Sequence, residues 1–107
     1  MSMYSFHGRG TLNGVIPHPT LVRLMEVAAQ RTGRPLQRSA HTGLLTDLSY
    51  IQFMGPDGVA SLDVGVPVRY SHSALEVVDP DDITALVALL DAALDDITPD
   101  LELTRAP

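Results

Sequence analysis

The chain has no cysteine, no tryptophan and no lysine; its 7 basic residues are all arginine. Without cysteine there is no disulfide framework and no thiolate to act as nucleophile or metal ligand. Seven basic residues against 13 acidic ones leave a net charge of -6. That balance argues against a nucleic-acid partner, because phosphate backbones are held by basic patches. The first ten residues lack a charged stretch followed by an apolar one, so they do not read as a signal peptide. No apolar run approaches the length of a membrane span. The expected setting is cytoplasmic, with neither nucleic acid nor membrane as partner.

What is present is an ordinary globular composition. The 107 residues are read as a single domain, 1–107, and 45% of them are hydrophobic. A chain of this size buries about 65% of its unfolded surface, so one modest core is feasible. The apolar share is a little high for so small a body. It is read either as a well-filled core or as a face meant to be covered by a partner.

Residues 11–16 suggest a short strand, weakened by Gly14. Pro17-His18-Pro19 marks a boundary, with Pro19 preorganised for a first helical position and His18 just outside it. The spacing predicts a helix over 20–32, with Leu21, Leu24, Met25, Ala28 and Ala29 on one side and Gly33 as a left-handed cap. Residues 36–40 alternate weakly like a strand, and His41-Thr42-Gly43 reads as a loop. Residues 44–54 are too densely apolar to show one period. A short helix starting near Thr46-Asp47 fits, since both are good caps. Gly55-Pro56-Asp57-Gly58 is a turn. Residues 59–69 alternate as a strand in which Asp63 needs a partner if buried. Asp79-Pro80-Asp81-Asp82 starts a helix over about 80–97, with a stripe of Ile83, Leu86, Val87, Leu90, Leu94 and Ile97. Residues 101–107 read as a frayed tail.

The order is strand, helix, strand, short helix, strand, helix. Such alternation predicts an α/β fold with a largely parallel sheet, in which ligands gather at the carboxyl ends of strands. That places Asp47 and His72 at one edge.

On spacing alone neither residue declares a site. Imidazole is the commonest metal-ligand type, but a lone His is more often a loop brace. His7, His18 and His41 form no metal-spaced motif with His72, and no His-Glu-x-x-His occurs. For Asp47, helix capping is the stronger reading and an active-site carboxylate the weaker. Ser71 and Ser73 sit in no nucleophile elbow, and there is no phosphate loop or dinucleotide fingerprint.

Certain residues carry a resemblance. Thr46-Asp47, Ile51, Gly58-Val59, Ser61, Val66-Pro67-Val68-Arg69-Tyr70, His72-Ser73 and Glu76-Val77-Val78-Asp79 occur in an order similar to the carboxyl-terminal part of the glutamyl/tetrahedral (deblocking) aminopeptidases. Gly8-Arg9-Gly10, Pro19-x-Leu21-Val22 and Gly33-x-Pro35-x-Gln37 extend the resemblance upstream. These are cocatalytic zinc metallopeptidases, some of which carry endoglucanase-like names. The resemblance covers nearly all of this chain but about the last third of a family member. It implies a partial zinc-peptidase-like sandwich, a large oligomer, and hydrolysis of peptides by a water activated between two zinc or cobalt ions. It matches His72 to the final metal-ligand His and Asp47 to an Asp at the active-site edge.

The departures are as informative. The family's other ligands come from a His-x-Asp motif, a bridging Asp, a Glu-Glu pair that includes the general base, and a further Asp. This chain has no Glu-Glu and no His-x-Asp. Gly43-Leu44-Leu45 and Leu48-Ser49-Tyr50 flank Thr46-Asp47 where the family has small residues, and Ala74 stands where it usually has Pro. One ligand does not hold a catalytic metal. The expectation is therefore a chain inactive alone: either part of an aminopeptidase completed by a complementary polypeptide, or a non-catalytic, self-associating remnant.

Overall fold

The computed structural model describes His7–Gly8, Thr11–Leu12 and residues 14–39 and 46–104. In chain order the elements are β1 (His7–Gly8), β2 (Thr11–Leu12), α1 (Pro19–Thr32), α2 (Leu48–Ile51), β3 (Val68–Arg69), β4 (Val77–Val78) and α3 (Pro80–Asp95). His41 and its loop lie outside the described residues.

Two long helices form the apolar core, and local chemistry sets their ends. Pro19 opens α1, and the ring of His18 accepts from the Thr20 N–H at 3.1 Å. At the other end Gly33 turns left-handed, with φ +67°. The Arg34 N–H then closes on the Ala29 carbonyl at 3.0 Å. Asp79 caps α3 by accepting from the Asp81 N–H at 2.9 Å, with Pro80 in its first turn.

The face that α3 buries is not the expected stripe. Leu89, Ala92 and Ala93 are buried against Met25, Ala28 and Ala29 of α1. Of the stripe, Leu86 is half-buried while Ile83, Val87, Leu90, Leu94 and Ile97 are exposed. Helix spacing depends on the side chains at the contact, so alanines on both partners permit close approach. Small residues won the interface that larger ones were expected to make. Arg31 closes the far end, donating to Asp96 Oδ1 at 2.7 Å and to the Ala92 carbonyl at 2.5 Å.

The largely parallel sheet is also corrected. The described strands form two separate two-stranded ladders, β1–β2 and β3–β4, and both are antiparallel. Within 59–69 only Val68–Arg69 forms a ladder, pairing with Val77–Val78. Val77-Val78 is therefore a strand and not the approach to a helix. Residues 36–38 form no ladder; a bridge pairing occurs only at Ser39. The fold remains a small α/β unit.

The residues expected to fray are partly tied down. The Leu103 carbonyl accepts from the His18 ring at 2.8 Å, and the Leu101 N–H donates to the Thr98 carbonyl at 3.0 Å. The molecule is thin, 39 × 35 × 19 Å. Its radius of gyration is 14.9 Å, against about 13 Å for a compact chain of this length.

Candidate functional site

Strand β3 leads into the turn that carries His72. The chain reverses between Arg69 and Val77, which are register partners. To do so it places two non-glycine residues in the left-handed region, Tyr70 at φ +61° and His72 at φ +63°. Each such placement costs on the order of 1–2 kcal/mol for an L-residue. The hairpin holds the conformation with its own groups. Glu76 Oε1 accepts from the His72 N–H at 2.6 Å. The Ser73 hydroxyl lies 2.5 Å from the Tyr70 carbonyl and 2.7 Å from that of Leu75, a single donor shared between two acceptors. His72 is exposed, and among the described residues its ring makes no hydrogen bond or ion pair. Spacing did not single out Glu76 and Ser73. The faint signal was a carboxylate four residues past the His.

Asp47 precedes α2 but does not cap it. It is helical in backbone and makes no side-chain cap bond. The capping role is filled differently: Ser49 Oγ accepts from the Thr46 N–H at 3.0 Å. Asp47 is thus an exposed carboxylate without the structural duty that its position suggested. Its neighbour Thr46 donates its hydroxyl to both carboxylate oxygens of Asp63, each at 3.2 Å. That is the partner Asp63 required. Partial burial pushes the Asp63 carboxyl above its ordinary value, and the Thr46 hydrogen bond opposes the shift. No hydrogen bond or ion pair among the described residues joins Asp47 to His72.

A second polar centre was missed. Gln52 is buried and uses its whole amide: Oε1 accepts from the Ile16 N–H at 2.8 Å, and Nε2 donates to the carbonyls of Gly14 and Ser49, both at 2.9 Å. The His18 N–H donates to the Ser61 carbonyl at 3.0 Å. His18 is 2% exposed. Its Nδ1 accepts from Thr20, so Nε2 carries the proton and donates to Leu103. An open groove of about 880 Å³ runs beside this centre, lined by Ile16, His18, Phe53, Val59 and Leu103 among others. Neither Asp47 nor His72 lines it.

The described residues do not assemble a metal site by themselves. No three His, Cys, Asp or Glu side chains among them gather closely enough to hold an ion. A catalytic zinc takes about three protein ligands and a water. The donors present therefore do not fit the metals that the resemblance implies.

Comparison with known proteins decides the family. A sequence model described as M42 glutamyl aminopeptidase matches residues 9–89, a span that includes Asp47, the His72 hairpin and most of α3. The chain belongs to the M42 aminopeptidase family. Among M42-like relatives, a protein named putative aminopeptidase SgcX from Escherichia coli (strain K12) is 40% identical over 88 residues. The match covers 82% of this chain and 23% of that protein. A lysyl aminopeptidase from Pyrococcus furiosus is 31% identical over 97 residues, covering 86% of this chain and 27% of its own length. The M42 chain described above thus spans about a quarter of these relatives. No solved structure matches it. No helix among the described residues is long and apolar enough to cross a membrane.

Proposed function

We propose that this chain is the carboxyl-terminal part of a metal-dependent aminopeptidase catalytic domain, a partial zinc-peptidase sandwich that does no hydrolysis alone. Its contribution is His72, offered as one ligand to a zinc or cobalt site whose other donors come from a complementary polypeptide. Asp47 lies at the edge of that site. The substrate class is peptides with a free amino terminus, met only in the completed assembly, and the setting is cytoplasmic.

The observation that carries this reading is the His72 hairpin. Strain in two consecutive left-handed positions of a turn, at Tyr70 and His72, is retained although glycine would relieve it. The ring it presents is exposed and uncommitted, as a metal ligand awaiting its partners must be. The Glu76 and Ser73 hydrogen bonds hold the backbone and leave the imidazole free.

Complementation tests it. The Pyrococcus furiosus lysyl aminopeptidase, with the stretch that matches this chain deleted, serves as the complementary polypeptide. Mixing the two is expected to restore zinc binding and hydrolysis of a lysyl anilide. Replacing His72→Ala in this chain is expected to abolish both. Recovery of full activity with the His72→Ala chain would remove the ligand role.

A second reading has its own observation. The described surface carries many exposed large apolar side chains, Leu75 at 81% and Leu94 at 64% among them. These favour a non-catalytic, self-associating remnant of the same fold if complementation yields no metal uptake.

A further inference from the structure

Helix α3 (Pro80–Asp95) is divided into three lengthwise sectors. One is the Leu89, Ala92 and Ala93 face packed on α1. A second is polar, formed by Asp81, Thr84, Asp91 and Asp95, all exposed. The third is apolar and exposed: Ile83 46%, Val87 62%, Leu90 41%, Leu94 64% and, just past the helix end, Ile97 48%. A helix apolar on two of three sectors is one built to be covered twice.

The spacing of the third sector narrows what covers it. The steps from Ile83 to Val87, Leu90, Leu94 and Ile97 run four, three, four, three. At 3.6 residues per turn the five side chains fall within an arc of about 80°. A helix laid on a broad core presents an apolar face wider than about 100°, whereas a strict four-three repeat is the narrow seam of paired helices. A sheet is therefore the poorer fit and a helix with the same repeat the better one.

We infer that the Ile83–Val87–Leu90–Leu94–Ile97 seam of α3 is a self-association surface, occupied by the α3 of a second copy of this chain. A second copy brings the matching repeat, and two-fold pairing sets like residues of one patch against each other. The thin dimension of the molecule, 19 Å, is about two helix diameters, so no third layer lies over this face. Acidic residues flank the seam and the chain carries -6 overall, so two copies repel at long range. Association therefore strengthens, or holds, as salt rises. This inference does not depend on the enzymatic reading, because it concerns a face remote in sequence from His72.

The absence of cysteine makes the test clean. In the full chain, Leu90→Cys sits at the seam centre, where parallel and antiparallel pairing both bring the two copies together. Under copper–phenanthroline it is expected to cross-link, while Leu75→Cys, on the hairpin and more exposed, does not. Sedimentation equilibrium over a dilution series is expected to give twice the chain mass for the unmodified protein. Leu94→Glu is expected to weaken that association by at least about tenfold, with helix content by circular dichroism unchanged. A monomer at every concentration, equal cross-linking of both cysteine variants, or a Leu94→Glu chain that still dimerises would each overturn the inference. Should Leu94→Glu lose its helix content, the cross-linking comparison decides alone. Loss of dimerisation leaves the complementation result untouched, so the two readings fail separately.

Discussion

His18 and His72 are the same side chain under opposite conditions. His18 is buried, both ring nitrogens are engaged, and its partners lie 2 and 85 residues away in sequence. His72 is exposed, its ring is uncommitted among the described residues, and the hydrogen bonds that shape its turn span two to four residues. The region around His18 and Gln52 binds distant segments together and leaves little polar capacity unused. The hairpin around His72 holds only itself, and it accepts left-handed strain to do so. Stability is concentrated in the first region and presentation in the second. Of the two, only His72 has a ring able to serve a ligand without dismantling the fold.

The contrast can be broken from the buried side first. Gln52→Leu strips partners from the Ile16 N–H and the carbonyls of Gly14 and Ser49. At about 1–3 kcal/mol for each buried group left unpaired, a loss of about 3–5 kcal/mol is expected in urea unfolding. His18→Ala uncaps α1 and frees the Leu103 carbonyl, for an expected loss of about 2–3 kcal/mol in the same measurement.

Asp63 stands between the two regions, half-buried with a single hydroxyl partner. Its pKa is raised in the folded state, chiefly by burial. The stability it contributes is therefore complete below the ordinary carboxylate value of 3.8 and is lost as pH climbs through the raised one. Asp63→Asn is expected to flatten the stability profile in that acidic window. The group is largely exposed, so solvent screening keeps the change below about 1 kcal/mol. A pH series of thermal melts reads it. His72→Gly has the smallest expected effect on stability: unchanged, or higher by up to about 1 kcal/mol as the left-handed strain is relieved. A substantial loss there would make His72 a structural residue like His18.

These differences explain how much of the molecule was legible beforehand. The helix starts were plain, because Pro19 and the Asp79-Pro80 pair act through local backbone chemistry. So was the end of α1, where Gly33 adopts a conformation other residues resist. The partner of α3 was not legible. Burial of alanines depends on a helix fifty residues upstream, and periodicity favoured the larger side chains of the seam. The antiparallel β3–β4 hairpin was hidden because Val77-Val78 sits directly before a strong helix start. Gln52 gave no signal, since its partners are backbone groups of a distant segment. At the site, resemblance supplied His72 and Asp47, whereas the Thr46–Asp63 bond and the Glu76 brace needed coordinates. Alternation had at least marked Asp63 as a residue in want of a partner.

The central claim is that this M42 chain presents a ligand without possessing a site. Its most direct test is the metal content and activity of the purified, isolated chain, dialysed against zinc and assayed with a lysyl anilide. The account predicts no stoichiometric zinc and no turnover, with the fold intact by circular dichroism. One zinc or more retained per chain, together with hydrolysis of the anilide, would contradict it.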